Sequence, residues 1–168
     1  MSSVLKKKKE KKEEVTPEAF LERLEEIKRR KETFFTYISD EEQEEKMPKL
    51  QKLFEELRPA IRDALYKANG SAKMKGEALY SFGKVVAAVE FLMALHKFAF
   101  DLSLVDREDF FKKIIWAMEE IIDTYSDIMK GRPLDSITNR LDHLYFDIKD
   151  DIEKFLKSLE RYVEELRP

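Results

Sequence analysis

The chain has 168 residues, 43% hydrophobic and 40% charged, with 32 Lys and Arg against 35 Asp and Glu and a formal net charge of −3. That length is enough to bury one hydrophobic core, and the apolar content lies above that of disordered chains. The near balance of charge gives no whole-molecule field that would draw the protein to nucleic acid or an anionic membrane, and the absence of cysteine excludes disulfides, thiol catalysis, iron–sulfur clusters and cysteine-held zinc.

Only two glutamines (Gln43, Gln51) and two asparagines (Asn69, Asn139) occur in a composition rich in Lys and Glu, a pattern that points to a thermophile source. Leu5 is followed at once by lysines rather than by an apolar run, so no secretory leader is expected. Charges at Lys84, Glu90, Lys97 and Asp101 interrupt the most apolar stretch, so no membrane partner is expected either. The expectation is a soluble, cytoplasmic protein.

Residues 1–15 read as a charged N-terminal tail and residues 16–168 as one helical bundle domain. The tail carries Lys6, Lys7, Lys8, Lys9, Lys11 and Lys12 and almost nothing apolar. A first long helix is predicted from Thr16, its N-cap, with Pro17 at the first helical position and Phe20, Leu24, Ile27, Phe34 and Ile38 at steps of three and four. The acidic run Asp40 to Glu45 is either its continuation or a bent extension with no buried face of its own.

A second helix is predicted from Pro48 to about Ala68, its stripe formed by Leu50, Leu53, Phe54, Leu57, Ile61 and Leu65. The apolar phase survives Pro59, so one kinked helix is preferred to two. Asn69 and Gly70 end it, and Ser71 to Gly76 read as a polar loop.

Ala78 to Leu104 is helical in period yet apolar around most of its circumference. Phe82, Val86, Val89, Met93 and Phe100 cover one side; Tyr80, Phe91, Leu95 and Phe98 cover another. Only Gly83, Ala87, Glu90, Ala94, Lys97 and Asp101 form a narrow small-or-polar strip, so roughly three quarters of the surface is expected to be buried. This is the predicted hub of the bundle.

A fourth helix is predicted over Arg107 to Met129, stopped by Gly131 and Pro133. A long last helix follows from Asp135 or Ser136 to about Leu166. Being longer than the hub and the fourth helix, it is expected to pair in part with the first helix or with another chain. The predicted fold is therefore all-α, a single-domain bundle of about five helices around a central hydrophobic helix, Ala78–Leu104, with long first and last helices.

Little in this pattern carries chemistry. His96 faces the apolar arc of the hub and reads as a core histidine with a hydrogen-bonded partner; His143 reads as part of a solvated face. Neither has a glutamate three residues before it, as a di-iron bundle requires. Lys84 points into the apolar arc, where snorkelling or pairing with a carboxylate is expected, and Glu90 is expected to meet solvent or another helix. Glu41, Glu42 and Glu45 match Glu-Glu-x-x-Glu, and Glu120 with Asp123 match Glu-x-x-Asp. Together these resemble the magnesium-binding signature of the all-helical nucleotide pyrophosphohydrolases, in which four carboxylates on two helices hold magnesium against a triphosphate. More than seventy residues separate the two halves here, whereas a short helix connection joins them in that family. No cofactor, metal ligand set or catalytic group is expected.

Trp116 lies opposite the fourth helix's apolar stripe, grouped with Glu120, Asp123 and Asp127. Tryptophan is enriched in binding hot spots, so Trp116, Glu120 and Asp123 are a candidate partner surface, and so are Leu159, Tyr162, Val163 and Leu166 on the last helix. Lys28, Arg29, Arg30 and Lys31, with the tail lysines, are the candidate nucleic-acid contacts. The expected function is non-enzymatic: an accessory or scaffolding subunit binding a protein partner or itself. The alternative is a small nucleic-acid-binding subunit, and a magnesium-dependent pyrophosphohydrolase comes third.

Overall fold

A computed structural model describes residues 40–102 and 107–165. Four α-helices follow one another: α1, Asp40–Lys67; α2, Ala72–Asp101; α3, Arg107–Met129; and α4, Leu134–Glu165. The all-α bundle predicted from periodicity is present, with four helices in the described residues. The predicted first helix and tail lie outside those residues.

Residue pairs between helices give the topology. Gln43 at the start of α1 meets His96 near the end of α2, and His96 meets Phe111 at the start of α3. Lys113 pairs with Asp151 and Phe110 with Phe155 across α3 and α4. Each consecutive pair is thus antiparallel, and α2 and α4 run parallel. Lys84 of α2 reaches Asp142 of α4 at 3.4 Å. The α2–α4 contact is the most extensive in the bundle, and among consecutive helices the α1–α2 contact is the smallest.

α1 begins eight residues earlier than the sequence pattern suggested. Gln43 and Met47 are buried and continue the stripe of Leu50, Leu53, Leu57, Ile61 and Leu65 toward the N-terminus. The acidic run therefore does have a buried face, and its key member is polar, which a hydrophobic pattern does not register. One helix passes through both Pro48 and Pro59. Eleven residues apart, they fall within about 20° on the helix circumference, and both are exposed. The carbonyls that lose an N–H partner belong to Glu44 and Glu55, also exposed residues, where water can satisfy them.

The supposed loop from Ser71 to Gly76 is mostly helix. Ser71 is the N-cap of α2, its hydroxyl accepting from the Met74 N–H at 3.2 Å. Lys75 Nζ donates to the Tyr66 carbonyl at 2.9 Å and so closes the end of α1 against the helix dipole. With α2 at 30 residues and α4 at 32, the hub is nearly as long as the last helix. α4 finds its main partner in α2, yet beyond Ile152 none of its described residues is buried; the expected pairing with the first helix falls on residues outside those described.

The hub itself is covered less completely than its composition suggested. Phe82, Val85, Val86, Val89, Leu92, Met93 and Leu95 are buried, but Tyr80, Phe91 and Phe98 stand 71%, 47% and 51% exposed. They lie on the arc of α2 between its contacts with α1 and α4, where no described helix packs. Helical period reveals which arcs are apolar; the number of neighbours decides which arcs are covered. By length and composition α2 also passes as a membrane-spanning helix, but 56% of the relevant window is buried inside the bundle, as expected of a core helix.

Candidate functional site

Around Trp116 the side chains form a network within the chain. Trp116 is half-buried, and the Lys113 ammonium sits 3.7 Å from its ring centroid while pairing with Asp151 of α4. Glu120, Asp123 and Asp127 project along one line of α3, and Arg140 of α4 reaches all three at 3.2, 3.5 and 2.6 Å. A planar guanidinium with several fixed donors suits this multiple contact. These residues tie α3 to α4, so their polar groups are already engaged within the chain. Sequence reasoning missed Arg140.

On the C-terminal stripe, Leu159 is half-buried and Val163 is 52% exposed. The Tyr162 side chain and Leu166 lie outside the described residues, as do Lys6 to Lys12 and Lys28 to Lys31. The two halves of the carboxylate signature are not brought together: Glu41, Glu42 and Glu45 are exposed on α1, while Glu120 and Asp123 are held by Arg140. Among the described residues no group of three or more His, Asp or Glu side chains is placed to hold a metal ion.

Both histidines occupy the environments expected of them. His96 is buried with its Nε2 3.1 Å from Gln43 Oε1 and its ring beside Phe100 and Phe111. His143 is exposed. Lys84 pairs with Asp142 and lies between the rings of Tyr80 and Tyr145, 5.2 and 5.1 Å from their centroids. Glu90 finds Arg58 of α1 at 2.6 Å.

Among the described residues, no helix covers the outer face of α2. Its midline is Gly83, Ala87 and Ala94, all exposed; a Cβ added at Gly83 would meet nothing within 4 Å. At about 100° per residue, Tyr80, Phe91 and Phe98 line the flank toward α4, and Glu90 and Lys97 line the flank toward α1. Beside the charged flank run two adjoining hollows of about 310 and 380 Å³ between α1 and α2, which share Gln51, Met93 and Lys97. The small-or-polar strip was visible in the sequence. The aromatic flank beside it reads as core by pattern, because aromatics at helical spacing usually belong there.

The chain matches no protein-family model, no curated protein and no solved structure.

Proposed function

We propose that this protein is a non-enzymatic interaction protein, an accessory or scaffolding subunit of a cytoplasmic assembly in a heat-adapted cell. The observation that carries the reading is the outer face of α2, where Tyr80, Phe91 and Phe98 stand 71%, 47% and 51% exposed along one line. Isolated exposed apolar residues are ordinary, but three exposed aromatics on one flank of a helix, beside small residues and rimmed by charges, have the composition of a docking surface. The aromatic residues bring large contact area at low entropic cost, and the glycine and alanines let a partner backbone come close. Composition supports the setting: few amides, many Lys and Glu, and no cysteine.

The test is a photo-crosslinking residue placed at Phe91 in the full chain, expressed in its own cell. The expected outcome is one dominant crosslinked species, identified by mass spectrometry and lost when Phe98 and Tyr80 are both changed to Ser. A smear of unrelated products, or none, would refute the reading.

A further inference from the structure

The outer face of α2 has a two-sided chemistry that selects its occupant. One flank carries Phe91 and Phe98, 47% and 51% exposed, and the other carries Glu90 and Lys97, whose side chains are 50% and 76% exposed. Ala94 lies between the flanks and is itself exposed. We propose that a second copy of this chain covers the face, its α2 packed antiparallel on the first about a two-fold axis at Ala94. The inference rests on the interaction reading above and names its partner.

The register follows from symmetry. When two helices face each other across a two-fold perpendicular to them, the same flank of each lies on the same side of the interface, and residues equally far before and after the axis oppose each other. With the axis at Ala94, Phe91, three residues before it, faces Phe98 of the second copy, four after it, with an axial offset of one residue or about 1.5 Å, and Phe98 faces its Phe91 in the same way. On the other side, Glu90, four residues before the axis, faces Lys97, three after it, with the same one-residue offset, and Lys97 faces Glu90. One register therefore joins aromatic to aromatic and acid to base, twice each, while Ala94 against Ala94 and Ala87 near Asp101 allow close approach. A parallel pair would instead set the aromatic flank against the charged one and strand both. Glu90 would add Lys97 of the second copy to its bond with Arg58, and Lys97 would exchange its exposed contact with Asp101 at 3.4 Å for a partly desolvated one, where charge pairs also fix orientation.

The deciding experiment uses the full chain in sedimentation equilibrium across a concentration series, with variants checked for helicity by circular dichroism. The expected species has twice the 20.0 kDa chain mass. K97E replaces two attractive pairs with two like-charged ones and is expected to weaken the dimer at least about tenfold; E90K acts the same way, and the double swap E90K/K97E restores it. Because the chain has no cysteine, A94C gives a clean second readout: on oxidation it links two chains across the axis far faster than K149C on the exposed side of α4. A monomer at every concentration, or a dimer indifferent to K97E and not linked by A94C, would overturn the proposal. If the chain is monomeric yet the crosslinker at Phe91 captures one different protein, the second copy is ruled out and the interaction reading stands. If it captures nothing, both fall.

Discussion

Arg140 holds three carboxylates of α3 with one guanidinium, and the four side chains are each about a third exposed, between 28% and 32%. Fully exposed ion pairs contribute about 0–1 kcal/mol and breaking buried ones costs about 3–5 kcal/mol, so the cluster belongs between these limits. Removing Arg140 also leaves Glu120, Asp123 and Asp127 as like charges one turn apart on the same helix face. Arg140→Ala is expected to destabilise the bundle by about 1–3 kcal/mol, a fall in Tm on the order of 3–10 °C for a chain of this size. Arg140→Lys should lie between the two, because a point charge cannot reach three acceptors as a planar fork does. Thermal melts at low and high salt check this: the gap between wild type and Arg140→Ala should shrink as salt screens the pairs. An unchanged Tm for Arg140→Ala would mean that apolar packing alone sets the α3–α4 contact.

The turn that joins those two helices is equally specific at the level of the element. Gly131 has φ +78°, its N–H donates to the Ile128 carbonyl at 3.1 Å, and the Arg132 N–H donates to the Asp127 carbonyl at 3.0 Å. This pair of bonds is the Schellman arrangement, which needs a left-handed residue after the helix end. Gly131→Ala should cost about 1–2 kcal/mol in backbone strain. The cost is conformational only, since an added Cβ there meets nothing within 4 Å. Urea titration of Gly131→Ala against Gly131→Asn separates the two effects: Asn tolerates the left-handed region, so it should recover part of the loss, and equal losses would place the effect elsewhere. Gly131 and Pro133 also made this part of the fold readable in advance. In an antiparallel hairpin, residues equidistant from the turn face each other, which sets 113 against 151, 110 against 155 and 123 against 140. Arg140 was therefore recoverable from the turn position and the spacing of the acids. The start of α1 was not, because its buried anchor is the polar Gln43 and its length spans a proline at position 48 that reads as a helix start. Nor was the open face of α2 readable: the apolar period there is the same whether three neighbours pack on the helix or four.

Across the whole molecule the helices are unequally bound to one another. α2 touches the other three and shares with α4 the broadest contact, whereas α1 meets α2 over the smallest one and rests mainly on α3. Pro48 and Pro59 each remove one backbone hydrogen bond from α1, and two hollows line its seam with α2. Parts of a fold with fewer packed contacts and interrupted backbone bonding open before the rest unfolds. Native-state hydrogen exchange should therefore show α2, α3 and α4 exchanging together at the slowest, global limit, and α1 exchanging at least about tenfold faster through its own opening, a difference of about 1.4 kcal/mol. The buried pair Gln43 and His96 fastens the N-terminal end of α1 to α2, so Gln43→Ala should widen the gap for the first turns of α1 while leaving α4 at its original rate. Equal protection in all four helices would mean that the bundle opens only as a unit; faster exchange in α4 than in α1 would contradict the order in which the contacts rank the helices. Because α1 and α4 flank the outer face of α2, an opening of α1 alone would widen that face on the side of Glu90 and Lys97 while the aromatic flank beside α4 keeps its place, so the charged half of any interface there is the half that motion of the fold can adjust.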